Sequence, residues 1–269
     1  MTPQLEEAAR RIVTARTSRT AFAGLPSGLQ PRSEAAGYDL QDMVRDQLIA
    51  AGYGRLVGYK VGATTPVMQS YLNIDHPCAG NMLSRGLSRS GAVLPIKDYV
   101  QPGIECEIAV EIWQPLEPQK ALFTAATVAG AVGAVFAAIE VVDDRYVHWR
   151  SVDTPTLIAD DFFHAGLVLG QRQTGWAAAT LAADLAALKG GAWVNGVEVG
   201  RGSGADIMGN PLEALAWLAN HCSKRGVSLP KGTLVSLGSL IQTHWLEPGD
   251  TAEIQIERLG QVKLTYARG

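Results

Sequence analysis

Hydrophobic and polar positions alternate almost without a break along residues 102–112, PGIECEIAVEI. Ile104, Cys106, Ile108, Val110 and Ile112 share one parity, and Glu105, Glu107, Ala109 and Glu111 share the other. A period of two predicts a strand with one apolar face. Near the N-terminus the period is helical instead. Leu5, Ala8, Ile12 and Val13 predict a helix over residues 3–17. Tyr38, Leu40, Met43, Val44, Leu48 and Ile49 predict a second, which begins near Ser33 and stops at Gly52. LVGYKVGATT reads as a short strand and a turn. Thr65-Pro66 then opens a short helix, because threonine caps and proline suits the first turn.

From about residue 80 the pattern changes to short strands and turns. GAVLPI, AAIEVVDDRY, AGLVLG, GTLVSLGSL, DTAEIQIERLG and QVKLTY are strand-like, and GAWVNGVEVGRGSG predicts a hairpin turning at Asn195-Gly196. KALFTAATVAGAVGAVFA has helical character, and NPLEALAWLANHCSKRG is an amphipathic helix ended by Gly226. No repeat or long linker interrupts the chain. The expected class is α+β, with a helical N-terminal portion over residues 1–80 on a strand-rich body over 81–269, the two built as one continuous unit.

Composition narrows the function more than the fold. The chain has 269 residues, 47% hydrophobic and 18% charged, which is enough to bury a sizeable core. A net charge of -3 offers no basic surface to follow a phosphate backbone, so nucleic acid is excluded as a partner. Cys78, Cys106 and Cys222 are too scattered for a disulfide framework or a zinc site, and Cys106 falls on the apolar parity, where it should be buried. The first residues are charged and lack the apolar core of a signal peptide, and no run approaches the roughly 20 apolar residues of a membrane span. A soluble, cytoplasmic protein is expected.

The acids carry the candidate chemistry. By pattern alone Glu105 and Glu107 read as the solvated face of a strand. Glu140 lies inside the apolar run FAAIEVVDD, where a lone carboxylate is costly unless paired or bound to a cation. Three carboxylates from two neighbouring strands would suit a hard cation such as Mg²⁺ or Mn²⁺. Lys60, in GYKVGATT, is either a strand lysine facing water or a cation held near an oxo-acid, and the order of glycine and lysine is wrong for a P-loop. No histidine pair has metal-ligand spacing, and no Gly-x-Ser-x-Gly elbow is present.

Taken in order, GYKVGATT, NIDHPCAG, PGIECEIAVEI, AAIEVVDDRY, LIADDFFHAGLVLG, GNPLEALAWLAN, LVSLGSL and LEPGD resemble the 2-hydroxypenta-2,4-dienoate hydratase / 4-oxalocrotonate decarboxylase branch of the fumarylacetoacetate hydrolase superfamily. The resemblance runs from about residue 40 to the C-terminus. It implies a β-rich fumarylacetoacetate-hydrolase-like fold and a divalent ion, Mg²⁺ or Mn²⁺, held by Glu105, Glu107 and Glu140. Lys60 matches the lysine of the family's GxKxGxT segment. Residues 75–80 match a VDxPDFG-like segment, Asp160 and Asp161 an ADN-like turn, and Gly238 and Ser239 a late SGSL-like segment. The sequence departs from the pattern at Cys78, where relatives carry Asp. It also departs at Phe162, Phe163 and His164, where relatives carry small polar residues, and at Ile241-Gln242.

The implied activity is hydration of a 2-hydroxy-2,4-dienoate, in its 2-oxo-alkenoate form, to a 4-hydroxy-2-oxo acid in meta-cleavage catabolism of aromatic compounds. Decarboxylation of a 2-oxo-3-enedioate, hydrolytic C–C cleavage of an acylpyruvate, and an inactive partner subunit follow in that order. Lys60 would orient the carboxylate or assist proton transfer. Asp75, Asp160 or His164 would act as acid/base, and Cys78 could do so only with a depressed pKa. Cys78, Phe162, Phe163, Gly238 and Ser239 would line the substrate, the two phenylalanines either capping an apolar tail or packing in the core. Glu111 reads as a surface residue. The family resemblance also implies a homo-oligomer and association with a related decarboxylase or hydratase.

Overall fold

The strand-forming segments assemble into two sheets in the computed structural model, which describes residues 3–268, apart from the side chain of Tyr71. The strands are β1 (Leu56–Gly62), β2 (Cys78–Leu83), β3 (Leu87–Arg89), β4 (Ala92–Pro95), β5 (Pro102–Ile112), β6 (Val132–Asp143), β7 (His164–Leu169), β8 (Lys189–Val194), β9 (Val197–Ser203), β10 (Leu234–Ser239), β11 (His244–Trp245), β12 (Thr251–Ile256) and β13 (Gly260–Ala267). The helices are α1 (Pro3–Ser18), α2 (Glu34–Leu48), α3 (Pro66–Leu72), α4 (Ala125–Ala129), α5 (Thr154–Ala159), α6 (Ala178–Ala187) and α7 (Pro211–Lys224). The larger sheet runs β2-β1-β10-β5-β6-β7-β3, with β11 also paired to β5, and the smaller runs β4-β13-β12-β8-β9. Most neighbours are antiparallel. The pairs β1 with β10, β3 with β7 and β4 with β13 are parallel.

The long pair β5 and β6 positions everything else. Its apolar parity, Ile104, Cys106, Ile108 and Val110 beside Val135, Ala137, Ile139 and Val141, joins Ile254, Val262 and Leu264 of the smaller sheet in the main core. Each fully buried aliphatic side chain there contributes roughly 1.5–3 kcal/mol. The other face of β5 and β6 is covered as well. Ala109, Ala134, Phe136 and Ala138 pack with Met82, Leu167, Leu169 and Leu234. The glutamate parity of β5 is therefore no solvated face, and only Glu105 and Glu111 on it retain partial exposure. A third cluster lies between the N-terminal helices, where Ala8, Ile12, Leu40, Val44 and Leu48 meet Leu83 and Ala159.

Local signals fix several element ends. Thr65 caps α3 ahead of Pro66, and Asn210 caps α7 ahead of Pro211. Asn195 and Gly196 take φ of 51° and 81°, the positive pair that a two-residue hairpin turn requires. The helical reading of residues 120–137 is corrected. Only Ala125–Ala129 is helical, opened by a reciprocal Thr124–Thr127 capping box, and β6 begins at Val132. Pairing with β5 overrides the helix preference of the alanines. At Gly133 a Cβ would lie 2.7 Å from that of Trp113, so the close approach needs glycine. Helices α5 and α6 were not marked by the sequence pattern. The line drawn at residue 80 falls inside β2, and strands from both sides of it share the larger sheet. Among the described residues, no helix is long and apolar enough to cross a membrane.

Candidate metal centre

Strand register brings the three predicted glutamates together. Glu105 and Glu107 project from the same face of β5, and Glu140 of β6 is the direct cross-strand partner of Glu105. One carboxylate oxygen from each lies within 4.8 Å of the others. Glu107 and Glu140 are each 1% exposed. Like charges directly opposite on paired strands destabilise a sheet, and burial removes the water that would screen them. Burial, then the Glu140 charge, pushes Glu105 up to about 7. Burial, then Glu140 and Glu105, pushes Glu107 well above the usual carboxylate range. Glu140 goes the other way. Burial would raise it, but the Lys60 ammonium and the hydrogen bond and charge of His164 outweigh burial and hold it low. An all-oxygen set of three carboxylates in this state is matched by a hard divalent cation.

Surrounding donors orient each carboxylate. Glu107 Oε2 accepts from Ser236 Oγ at 2.7 Å and from the Gly238 amide at 2.9 Å. Gly238 sits in an irregularity of β10 at φ +126°, and a Cβ there would lie 2.6 Å from Thr64 Oγ1. Glu105 Oε1 accepts from Thr243 Oγ1. Glu140 Oε1 meets His164 Nδ1 at 2.9 Å and Lys60 Nζ at 3.6 Å. Lys60 Nζ also donates to the Phe162 carbonyl at 2.8 Å. Each glutamate is thus held through one oxygen, which leaves its other oxygen for an ion.

Residues 71–266 match the fumarylacetoacetate (FAA) hydrolase C-terminal family. The chain belongs to the fumarylacetoacetate hydrolase family. It is 33% identical to a 2-keto-4-pentenoate hydratase of Paraburkholderia phymatum over 98% of both chains, and 32% identical to one of Burkholderia vietnamiensis over 96% of this chain and 95% of that one. Its fold matches that of 4-oxalocrotonate decarboxylase from Pseudomonas putida G7, complexed with magnesium and adipate. That match has a TM-score of 0.90 and 26% identity, and covers 99% of this chain and 98% of that one.

The remaining predicted residues of this fumarylacetoacetate hydrolase family member are dispersed. Asp75 is exposed in the turn between α3 and β2. Cys78 is fully buried, and burial, then the Glu34 carboxylate, pushes its thiol up to about 12. The depressed pKa that would make it a proton carrier is absent. Asp160 is buried between two arginines, 3.1 Å from Arg145 Nε and 3.5 Å from Arg16 Nη1. Of the three acid/base candidates, only His164 contacts a glutamate of the cluster. Phe162 is 4% exposed, with its ring centroid 5.6 Å from Lys60 Nζ, and it packs edge-on against Phe163, which in turn meets Trp149 and Tyr146. Ser239 Oγ donates to the Cys106 carbonyl. Glu111 is half-buried and paired with Arg172 at 2.8 Å. Sequence reading missed Ser236, Thr243, Asn81, Arg16 and Arg145. Ser236 left one trace, a polar residue set between the apolar pair Leu234-Val235 and Leu237.

Proposed function

We propose that this chain is a divalent-metal-dependent hydratase that adds water to a 2-hydroxy-2,4-dienoate and yields a 4-hydroxy-2-oxo acid in the cytoplasmic breakdown of aromatic compounds. The observation that carries it is the buried Glu105–Glu107–Glu140 cluster, in a chain alike over nearly its whole length to proteins named 2-keto-4-pentenoate hydratase. Those glutamates would hold Mg²⁺ or Mn²⁺, which when bound supplies a Lewis acid for the oxygens of the 2-oxo-carboxylate.

The protein's own groups then have defined tasks. In the first stage the substrate's 2-hydroxyl loses its proton and C5 gains one, which leaves an enone. In the second, water adds to C4 and C3 takes a proton. Lys60 spends two of its contacts on Glu140 and the Phe162 carbonyl, and its third N–H orients the substrate carboxylate. His164 faces Glu140 through Nδ1, so Nε2 is the atom that carries the proton between oxygen and carbon. Phe162 and Phe163 wall the site and exclude water, while Cys78 and Gly238 leave room where a larger side chain would intrude. Ser239 fixes the strand end through the Cys106 carbonyl.

Decarboxylation of a 2-oxo-3-enedioate is the second reading, favoured by the fold match to a decarboxylase whose structure holds a dicarboxylate. Mixing the protein with Mg²⁺ and 2-hydroxypenta-2,4-dienoate should cause loss of the dienol absorbance. Turnover of 4-oxalocrotonate alone would move the assignment to the decarboxylase. Turnover of neither, with no ion retained, would leave an inactive partner subunit. We also read the chain as a homo-oligomer, able to associate with a related decarboxylase or hydratase. Light scattering of the purified chain should give a mass above that of one chain.

A further inference from the structure

Asp161, Phe162 and Phe163 adopt φ of 56°, 51° and 67° in succession. A non-glycine residue in the left-handed region is strained and persists only where its surroundings over-determine it. The turn has two outputs, and both touch the candidate metal centre. The Phe162 carbonyl accepts from Lys60 Nζ at 2.8 Å, and the residue after the turn, His164, meets Glu140 Oε1 at 2.9 Å. Lys60 reaches the same Glu140 oxygen at 3.6 Å. The path of the turn therefore decides where Glu140 points its remaining oxygen.

Three side chains hold the turn. Arg145, just beyond β6, donates to Asp160 Oδ2 and to the carbonyls of Asp160, Phe163 and His164 at 2.8–3.3 Å. Asn81 of β2 donates its amide and side chain to Asp161 Oδ1 at 2.8 and 3.2 Å. Beside it, Gly80 lets the turn pack close, since a Cβ there would lie 2.8 Å from the Asp161 carbonyl oxygen. The third is Arg16, near the end of α1. Its Nη1 lies 2.8 Å from Asp161 Oδ2 and 3.5 Å from Asp160 Oδ1, and its Nη2 is 3.4 Å from the His164 carbonyl. The Arg16 side chain is 11% exposed and that of Asp161 is 1%.

We propose that Arg16, and with it helix α1, positions the metal centre by clamping the left-handed turn over residues 161–163. Without Arg16, Asp161 Oδ2 is a buried carboxylate oxygen with no other ion-pair partner among the described residues, and shifting the turn is the available relief. Lys60 and His164 follow the turn, and Glu140 follows them. Arg16 is a positioning residue, because it acts through the turn, by its contacts with Asp161, Asp160 and the His164 carbonyl. The inference rests on the metal-centre reading but not on the identity of the substrate.

The test is Mn²⁺ binding by the full-length chain, read from the free-ion electron paramagnetic resonance signal. Arg16→Met should weaken binding about tenfold, the lower end of what outer partners of metal ligands contribute. Arg16→Lys should recover part of the loss, because it keeps the charge but not the fork. Ile12→Ala removes a buried contact of the same helix without touching the turn. It should lower the thermal midpoint and leave Mn²⁺ affinity unchanged. Combining Arg16→Met with Asp161→Asn should weaken binding by less than the product of the two single losses, because the two residues share one contact. Wild-type affinity in Arg16→Met, or an equal loss in Ile12→Ala, overturns the proposal. If Arg16→Met does not fold, Asp161→Asn probes the same contact, and wild-type affinity there overturns it equally. Failure of the wild-type chain to bind Mn²⁺ overturns the metal-centre reading itself, a separate result.

Discussion

Replacing Glu107 with glutamine should change stability in opposite directions with and without a divalent ion. Without one, the amide relieves a carboxylate disfavoured by burial and by two acidic neighbours, and its oxygen still accepts from Ser236 and Gly238. The unfolding midpoint should rise, by about 2–4 °C per kcal/mol gained. With Mg²⁺ at about 100 times its dissociation constant, the wild-type chain should gain roughly 2.7 kcal/mol and the variant almost nothing. Calorimetric scans with and without MgCl₂ decide this; equal Mg²⁺ shifts in both proteins would sink the ion-binding role. His221 offers a test elsewhere. It lies stacked on Trp217 and against Tyr38, and burial, then Arg225, Lys224 and His76, takes its pKa down from 6.5 to about 4. The unfolded chain binds this proton near 6.5 and the folded chain only near 4, so the contribution is full above 6.5 and is lost as pH falls toward 4. His221→Gln should lose less stability than wild type over that window, as read from urea midpoints at several pH values. At this scale Glu140 was legible from its apolar setting, whereas alternation alone made Glu105 and Glu107 a solvated face and only the ordered family motifs around them marked them. Arg16 was not legible, because its partner is 145 residues away and nothing local distinguishes it from a solvated helix arginine.

Elements with local punctuation were readable, and those decided by pairing were not. The caps at Thr65 and Asn210 and the turn at Asn195-Gly196 carry their own geometry within a few residues. In β6 the stretch GAVGAVFA satisfies helix and strand patterns alike, and only its register with β5 resolves it. The turn after α5 was read as a source of acid/base groups at Asp160 and His164, with Asp160 and Asp161 matched to the family's ADN-like turn. The structure shows both committed to arginines. Asp160→Asn should therefore act on the fold first. Removing one member of a buried pair costs about 3–5 kcal/mol, and the loss should appear in denaturant midpoints with no ion present. A variant as stable as wild type would mean that Arg145 finds full compensation in carbonyls and Asp143.

At the scale of the molecule, the helical start and the strand-rich body cannot be parted without cost. Residues 1–80 supply β1, Lys60, Arg16 and most of the α1–α2 cluster. A chain of residues 81–269 would leave β10 with an open edge, and exposed edges invite aggregation. That fragment should show no cooperative thermal transition, whereas a sharp one would establish the body as independent. The parallel pairing of β1 with β10 also sets an order of events. Lys60 is in register with Ser236, and Ser236 holds Glu107. Strands β5, β6 and β7 are successive in the chain and can zip early, but β1 must wait for β10, which follows all three. Pairings of such high sequence separation form late. That order would gather the three acids before their lysine joins them, with the β1–β10 pairing as the step that completes the centre.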